Sequence, residues 1–223
     1  IWDAMCATIL STGARRGAMM ATLRCDHPDI LEFVRAKRDP AKLRHFNLSV
    51  LVTDAFMQAV KKNTDWPLVF PAPGQPGSPI YRTVSARALW QEIMQATYDY
   101  AEPGVLFIDR INAQNNLRYA ETLAATNPCG EIPLPHYGAC NLGSINLTGF
   151  VREPFTPEAS FDFAALEKLV PTAVRMLDNV CDASQFPLQK QADAVHATRR
   201  LGLGITGLGD TLIMLGLRYD STA

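Results

Sequence analysis

A thiol, an amide and a carboxylate stand close together near the middle of the chain. Asn127, Cys129 and Glu131 are each two residues apart, with Pro128 and Gly130 between them. In extended backbone alternate side chains face the same way, so this spacing predicts the three groups on one edge of a tight extended loop. A carboxylate can exchange a proton, an amide can hold a hydroxyl, and a thiol can serve as a nucleophile or a one-electron carrier. The segment is therefore the first candidate for catalysis.

A second interpretation of Cys129 is structural. Free cysteine is among the most buried residue types, so Cys129 could be a small apolar residue inside a loop. Asn127 and Glu131 argue against that interpretation, because a buried amide or carboxylate needs polar partners that an apolar core rarely offers. Pro128 excludes the interior of a helix, and Gly130 lets another group approach the backbone closely.

The cysteines as a set indicate a compartment rather than a site. Cysteine stands at positions 6, 25, 129, 140 and 181, and no two are spaced as Cys-x-x-Cys. The odd number and the spacing disfavour a secreted disulfide framework, so we expect a cytoplasmic protein. Cys25 and His27 would need a second pair of ligands to bind zinc, and the sequence offers no matching pair, so we predict no metal site.

Length and composition exclude several functional classes. The chain has 223 residues, of which 48% are hydrophobic and 19% charged, which suffices for one large domain or two small ones. Its net charge of -1 argues against a nucleic-acid surface, which needs clustered basic residues. No apolar run approaches the roughly 20 residues of a membrane-spanning helix. The start at Ile1, with no initiator methionine and no signal-peptide pattern, suggests a piece of a longer chain.

Hydrophobic periodicity predicts an alternation of helices and strands. We expect strands at 19–23, 46–50 and 105–108, and helices at 1–10, 30–37, 54–60, 85–101, 161–180 and 192–200. Asp26 is the expected N-cap of the second helix and Thr53 or Asp54 that of the third, and Ser85 is expected to start the fourth. The glycine-rich segment 201–209 contains the outline of a dinucleotide-binding loop, but no hydrophobic strand precedes it. We therefore interpret it as a close-packed strand and turn.

Two polar segments each allow two interpretations. The side chains after the strand at 105–108 form either the rim of an α/β active site or Asn-rich turns; they are Asp109, Arg110, Asn112, Asn115 and Asn116. The cationic loop 11–17 either binds phosphate through arginine and backbone N–H groups or is a helix C-cap followed by a solvated turn. The residues of this loop are Ser11, Thr12, Gly13, Ala14, Arg15, Arg16 and Gly17.

Three stretches together resemble the catalytic (large) subunit of ribonucleotide reductases. They are 13–20 running on to 26–30, the Asn-Pro-Cys-Gly-Glu of 127–131, and the Gly-Ala-Cys-Asn-Leu-Gly-Ser-Ile-Asn of 138–146. The resemblance covers essentially the whole chain and is stronger to the adenosylcobalamin-dependent class II branch than to the diiron-dependent branch. It implies an α/β fold that is about half of the family's ten-stranded α/β barrel, with a central finger loop at 126–140 and no separate second domain within 1–223.

The resemblance also implies a role for each site residue. Cys129 resembles the cysteine that becomes a thiyl radical and abstracts the 3′ hydrogen of the ribose. Glu131 resembles the base that takes the 3′-hydroxyl proton, and Asn127 resembles the amide that hydrogen-bonds the ribose hydroxyls. Cys140 resembles one of two cysteines that supply the reducing electrons and close as a disulfide. The loop 11–17 resembles the segment that relays effector identity to the substrate base, which favours the functional interpretation of its arginines.

The implied activity is reduction of ribonucleotides to 2′-deoxyribonucleotides, with adenosylcobalamin as the radical source. The implied partners are a ribonucleoside diphosphate or triphosphate, nucleotide effectors, a thioredoxin-like or glutaredoxin-like reductant and, in the full-length enzyme, a second copy in a homodimer. The family's partner for Cys140 lies upstream of the matched region, and neither Cys6 nor Cys25 stands at its motif. The second half-barrel and the tail cysteines are also not matched within 1–223, so we expect this segment alone to be inactive.

Three alternatives stay open on sequence grounds. The first is the same reaction in the large subunit of a metal-radical (class I) enzyme. The second is a non-catalytic nucleotide-binding regulatory module that uses Arg15 and Arg16 as a sensor. The third and least favoured is a hydrolase with Cys129 as nucleophile, for which no histidine lies in the same motif and His136 would have to act as the base.

Overall fold

The computed structural model describes residues 1–10, 17–71, 77 and 79–222. The chain forms two compact units, Ile1–His136 and Tyr137–Ala223, which we call unit 1 and unit 2. Both units contain helices and strands, so the predicted α/β composition is confirmed. The prediction of one domain over 1–223 stays a prediction.

Unit 1 is organised around a three-stranded parallel sheet. Its elements are α1 (Trp2–Leu10), β1 (Met19–Arg24), α2 (Ile30–Arg35), β2 (Phe46–Val52), α3 (Asp54–Lys62), β3 (Asp65–Val69), β4 (Ile80–Ser85), α4 (Ala86–Tyr100), β5 (Gly104–Phe107), α5 (Ile108–Gln114), β6 (Leu123–Thr126) and β7 (Pro133–Pro135). β2 is the central strand, paired in parallel with β1 on one side and β5 on the other. Parallel neighbours need long crossover connections, and here α2 lies between β1 and β2 while α3 and α4 lie between β2 and β5.

The core of unit 1 is formed by β2, β3, α2, α3 and α4. Buried positions recur along α4 at Ala86, Leu89, Ile93 and Ala96, which is the three- and four-residue spacing of one helix face. The fully buried Phe56 of α3 joins this cluster. The other buried members are Cys25, Ile30, Val34, Val50, Val52, Ala59 and Leu68. The cluster thus joins elements that lie far apart in the sequence.

Of the two predicted helix caps, Thr53 is confirmed and Asp26 is wrong, and Ser85, the expected start of α4, is also a cap. The side-chain oxygen of Thr53 accepts from the N–H of Phe56 at 3.1 Å at the start of α3, and that of Ser85 accepts from the N–H of Ala88 at 3.3 Å at the start of α4. Asp26 does not cap α2. Its carboxylate instead accepts from Arg24 Nε at 2.7 Å, and Asp29 holds the N-cap position without a side-chain hydrogen bond.

Two antiparallel hairpins complete unit 1. β3 pairs with β4, and β6 pairs with β7 in a register that sets Leu123 opposite Pro135 and Thr126 opposite Pro133. The second hairpin is short, so its loop of six residues, 127–132, projects from a stem of only a few residue pairs. That loop carries the Asn127, Cys129 and Glu131 set.

Unit 2 has a two-stranded parallel sheet covered by a long helix. Its elements are β8 (Asn141–Asn146), β9 (Val151–Arg152), β10 (Ser160–Phe161), α6 (Phe163–Ala183), α7 (Gln189–Thr198), β11 (Leu201–Thr206) and α8 (Leu208–Met214). β8 and β11 pair with Asn141 opposite Leu201. Leu177 of α6 lies against the sheet, because a Cβ added at Gly143 would stand 3.3 Å from Leu177 Cδ2.

The glycine-rich segment is the predicted strand and turn. Gly202 and Gly204 lie inside β11, and Gly207, with a φ of 70°, precedes α8. In a dinucleotide-binding loop the first glycines would follow the strand and form the turn themselves. The placement of Gly202 and Gly204 within β11 therefore agrees with the structural interpretation.

The described strands pair into one three-stranded sheet and four two-stranded sheets. The coarse α/β class is thereby confirmed, whereas the predicted half-barrel stays a prediction. Among the described residues, no helix combines the length with the apolar composition that crossing a bilayer requires.

Candidate active site

Asn127 closes the neck of the loop that carries Cys129. Its backbone N–H donates to the carbonyl of Ile132 at 3.2 Å. In return, the N–H of Ile132 donates to Oδ1 of the Asn127 side chain at 3.0 Å. One residue therefore holds the two ends of the loop together through both its backbone and its side chain.

The tip of the loop is a β-turn rather than the extended segment that the spacing predicted. The N–H of Gly130 donates to the carbonyl of Asn127 at 3.0 Å, which closes a four-residue turn over 127–130. Pro128 occupies the second position, where its fixed φ is favourable, and Gly130 has a φ of 86° at the fourth. Because the chain reverses here, the alternation of an extended strand does not govern the side chains.

The turn places Cys129 at its apex, where the side chain is exposed. Glu131, just after the turn, is exposed as well, and Asn127 is half-buried. The three polar groups are thus carried by a single six-residue loop, and two of them, Cys129 and Glu131, are exposed. A buried apolar role for Cys129 does not fit this placement.

A side chain from the parallel sheet anchors the tip of the loop. Nδ2 of Asn47, on β2, donates a hydrogen bond to the carbonyl of Pro128, the residue just before Cys129. The two residues are 81 positions apart in the sequence. Sequence reasoning missed Asn47, because its only local signal is a polar, exposed residue at the start of a strand whose next three residues are buried.

A cleft of about 690 Å³ opens beside the turn. Cys129, Pro128 and Gly130 line it together with Asn47 and residues of β5. Its volume falls within the range of about 300–1,000 Å³ that is typical of small-ligand pockets. Cys129 therefore borders a space in which a small molecule could bind.

The floor of this cleft is closely packed. Ser49 of β2 is only 5% exposed, and a Cβ added at Gly104 of β5 would lie 2.9 Å from its Oγ. Lys37, also on the cleft, forms an ion pair with Glu102 at 3.0 Å and donates to the carbonyl of Phe46. Glycine at 104 is what allows the two strands to approach around the serine hydroxyl.

Cys140 belongs to unit 2, where it precedes β8. Its half-buried thiol donates to the carbonyl of Asn141 at 3.5 Å. The Asn141 side chain in turn donates to the carbonyl of Leu177 at 3.3 Å and contacts Sγ of Cys181 at 3.2 Å. Cys140 is therefore attached to a strand end that is tied to helix α6.

The remaining thiols are buried. Cys6, Cys25 and Cys181 are buried, and burial raises the pKa of the Cys25 thiol to about 11. A thiol with that pKa stays protonated and unreactive at neutral pH.

Among the described residues, no cluster of three or more His, Cys, Asp or Glu side chains is arranged to hold a metal ion.

The loop 11–17, which was expected to relay effector identity, lies largely outside the described residues. The described part of the chain stops at position 10 and begins again at Gly17. A Cβ at Gly17 would stand 2.7 Å from the Cα of Cys6, so the backbone here packs closely on α1. Glycine at position 17 has this packing reason independently of any ligand. The roles of Ser11, Thr12, Gly13, Ala14, Arg15 and Arg16 stay predictions.

The polar segment after β5 is used for structural hydrogen bonds. The Asn112 side chain donates to the carbonyl of Leu123 at 3.0 Å and accepts from its N–H at 2.8 Å, which joins α5 to β6. Asp109 accepts from the N–H of Asp54 at 2.8 Å, and Arg110 pairs with the Asp54 carboxylate at 2.9 Å. Asp109, Arg110 and Asn112 lie in helix α5 rather than in the expected turn, and the Asn112 contacts hold the base of the hairpin that carries Cys129.

Comparisons with known proteins point to one family over the whole chain. A family model described as "Ribonucleotide reductase, barrel domain" matches residues 1–223. A vitamin B12-dependent ribonucleoside-diphosphate reductase from Mycobacterium tuberculosis is 42% identical over 222 residues, which cover 99% of this chain and 31% of that protein. A protein of the same name from Thermoplasma acidophilum is 39% identical over 222 residues, which cover 99% of this chain and 28% of that protein.

A more distant relative carries a different name. The ribonucleoside-diphosphate reductase large subunit of Arabidopsis thaliana is 28% identical over 250 residues, which cover 94% of this chain and 31% of that protein. The chain therefore spans less than a third of the length of these three relatives. Its similarity is higher to the two relatives whose names include vitamin B12.

Proposed function

The chain belongs to the family of the ribonucleotide reductase barrel domain, and we propose that it is a segment of an enzyme that reduces ribonucleotides to 2′-deoxyribonucleotides through a thiyl radical on Cys129. The observation that carries this proposal is the exposed Cys129 thiol at the apex of an anchored turn, with Asn127 and Glu131 on the same loop. A radical thiol needs access to the sugar and a fixed position, and the turn supports both requirements.

The proposed chemistry assigns one step to each group on the loop. The Cys129 thiyl takes the 3′ hydrogen atom of the ribose, and Glu131 takes the 3′-hydroxyl proton. With that proton held by Glu131, the 2′-hydroxyl leaves more readily as water. Asn127 holds the ribose hydroxyls by hydrogen bonds during these steps. At the end, the Cys129 thiol returns the hydrogen atom to the sugar radical, so the thiyl radical on Cys129 is regenerated.

Cys140 is proposed to supply reducing equivalents. One dithiol gives two electrons and two protons, its sulfurs join as a disulfide, and the substrate loses its 2′-hydroxyl as water. The second cysteine of that pair would come from outside 1–223. A thioredoxin-like or glutaredoxin-like protein would then reduce the disulfide by thiol exchange.

Adenosylcobalamin would supply, when bound, the radical that removes the hydrogen atom from the Cys129 thiol. The cleft beside Cys129, with a volume of about 690 Å³, is large enough for a group of nucleoside size. Its walls include Tyr100, Leu106 and Pro128 with polar groups between them. The names of the more similar relatives support this cofactor and support a ribonucleoside diphosphate as substrate.

Several finer features belong to the same proposal. The loop 11–17 would carry nucleotide effector signals, the parallel strands would be part of one half of a ten-stranded barrel, and the full-length enzyme would be a homodimer. Cys6, Cys25, Cys129 and Cys181 are free thiols, which supports a reducing, cytoplasmic setting. The segment 1–223 would be inactive by itself.

The decisive experiment is Cys129→Ser in the full-length enzyme. We expect deoxyribonucleotide formation to fall below detection, because a hydroxyl does not form the radical, while nucleotide binding measured by calorimetry stays at the parental affinity. Cys25→Ala, which removes a buried thiol of the same unit, is the matched control and should keep the parental turnover. Parental turnover in the Cys129→Ser protein would reject the proposal.

The radical source is decided by reconstitution. Turnover on addition of adenosylcobalamin alone is the expected result. Turnover that needs a second, metal-containing subunit would instead identify the class I alternative.

A further inference from the structure

We infer that Asn47 is a positioning residue for Cys129, holding the tip of the loop at a fixed place on the central strand of unit 1. The inference deepens the proposed function and rests on it. Asn47 lines the same cleft as Cys129, and the inferred role is exerted through the backbone of the turn. Its contact to the Pro128 carbonyl is the observation that carries the inference.

The anchored atom is well placed to control Cys129. The carbonyl of Pro128 and the N–H of Cys129 belong to one planar peptide group, so a hydrogen bond that fixes the oxygen also fixes the nitrogen of Cys129. On the preceding side, the proline ring restricts φ of Pro128 to a narrow range. The anchor therefore restrains the thiol-bearing residue through stiff covalent geometry.

The following side of the turn offers little restraint. A Cβ added at Gly130 would meet nothing within 4 Å, and glycine is the residue with the widest backbone freedom. Loss of the Asn47 contact would leave the turn closed by the Gly130–Asn127 hydrogen bond alone, so this bond would open more often. The tip needs a contact from outside the hairpin to keep a fixed place, and Asn47 provides one.

The base of the anchor is rigid. Asn47 lies opposite Met20 in the β1–β2 pairing, and the next residues of β2, Leu48, Ser49 and Val50, are 3%, 5% and 0% exposed. A side chain projecting from such a strand has a well-defined origin. Because Asn47 itself is exposed, replacing it should leave the core of unit 1 intact.

Two variants test the inference in the full-length enzyme. Asn47→Ala removes the donor, and Asn47→Asp keeps the size but sets a carboxylate against the Pro128 carbonyl. Gln58→Ala, which removes an exposed amide from α3, is the control. Loss of one neutral hydrogen bond corresponds to a change of roughly two- to tenfold in the opening of the turn. We expect hydrogen exchange at the Gly130 amide to accelerate by that factor in both variants and to stay unchanged in Gln58→Ala.

Kinetics supply the second measurement. A displacement of about 1 Å at a reacting group can lower a rate by about a hundredfold. We therefore expect kcat to fall ten- to a hundredfold in Asn47→Ala and further in Asn47→Asp, with KM for the nucleotide changed less than twofold. Gln58→Ala should keep both parameters.

The outcomes separate the inference from the proposed function. Unchanged exchange at Gly130 in the variants would overturn the anchor, and accelerated exchange with an unchanged kcat would overturn its positioning role. Either result leaves the reductase proposal standing. An active Cys129→Ser protein would instead reject the reductase proposal, and with it the catalytic purpose assigned to Asn47.

Discussion

Unit 1 and unit 2 bury their apolar side chains to different extents. Helix α4 of unit 1 has 15 residues and buries Ala86, Leu89, Ile93 and Ala96 against a shared core. Helix α6 of unit 2 has 21 residues and buries only Leu177 and Cys181 among them. Other apolar side chains of α6 are largely exposed, including Val174 at 41%, Met176 at 61% and Val180 at 40%.

This difference indicates how much the burial of apolar side chains stabilises each unit. Unit 1 closes a core from elements distant in the sequence, and this core supports the sheet that anchors the Cys129 loop. Unit 2 leaves much of the apolar surface of α6 exposed, so less of its stability comes from buried side chains of this helix. The following predictions test that contrast, beginning with the largest expected effect.

Phe56→Ala should destabilise unit 1 strongly. Phe56 is 0% exposed and packs edge-on against Trp66 at 5.2 Å. Deleting such a ring costs about 3–5 kcal/mol in the free energy of unfolding. Urea unfolding followed by tryptophan fluorescence measures the change, because all three tryptophans of the chain lie in unit 1.

The matched change in unit 2 is Phe163→Ala. Phe163 is 74% exposed, so its removal should cost less than about 1 kcal/mol, measured by far-UV circular dichroism in urea. If the two phenylalanine variants lost equal free energy of unfolding, the two units would not differ in their dependence on buried side chains.

Leu177→Ala should have an intermediate effect. Leu177 is 4% exposed and is the one leucine that α6 buries. We expect a loss of about 2 kcal/mol, the lower end of the usual range for this change, because the open surroundings of α6 can relax around the gap. Leu169→Ala, at a position 41% exposed in the same helix, is the control and should lose less than about 1 kcal/mol in the same urea titration. A loss at Leu177 as large as that of Phe56→Ala would show a fuller core in unit 2.

Thr53→Ala tests a local contribution to unit 1. The variant removes the oxygen that accepts from the Phe56 N–H, and loss of an N-cap costs about 1 kcal/mol. Thr53→Ser keeps the oxygen and should retain most of the stability in the same fluorescence-monitored urea titration. If both variants lose equal stability, the cap hydrogen bond is not the cause.

Lowering the pH should reduce the free energy of unfolding of unit 2, because it protonates the two aspartates that pair with Arg199. We expect this to be the smallest of the predicted effects. Hydrogen bonds from Arg199 hold the pKa of Asp178 and the pKa of Asp182 below the ordinary value. Below about pH 4 the unfolded chain binds protons that the folded carboxylates resist, so the stability from these contacts is present above that pH and lost as the pH falls further.

Arg199→Gln should therefore flatten the dependence of Tm on pH below about pH 4. Arg118→Gln, whose guanidinium donates to the backbone carbonyl of Ala113 and not to an acid, should follow the parental curve. An acid dependence unchanged by Arg199→Gln would exclude these two aspartates as its source.

Local sequence signals predicted the elements and some of their ends. The apolar spacing at 85–101 indicated a helix that the structure places at Ala86–Tyr100, and the helix expected at 161–180 lies at Phe163–Ala183. Thr53 was identifiable as a cap and Ser85 as a helix start because each is adjacent in the chain to its helix. Such features depend on residues within one or two turns of each other.

Contacts between distant residues were not predictable in this way. Asn47 and Pro128 meet only after the strands and the hairpin have packed, and no pattern in the sequence joins them. Asp26 seemed a cap by position, but Arg24 competes for its carboxylate. The turn at 127–130 had a readable signal, proline second and glycine fourth, which the two-residue spacing of the polar groups obscured.

The way Asn127 closes its loop also decides what kind of atom it can bind. The donor at Ile132 requires the oxygen end of the amide, so the nitrogen end, with its two hydrogens, faces elsewhere. A ligand group that meets this nitrogen must offer a lone pair, which a hydroxyl or carbonyl oxygen has and an ammonium lacks. The closure of the hairpin thus builds in a preference for hydrogen-bond acceptors, such as hydroxyl oxygens, over ammonium groups.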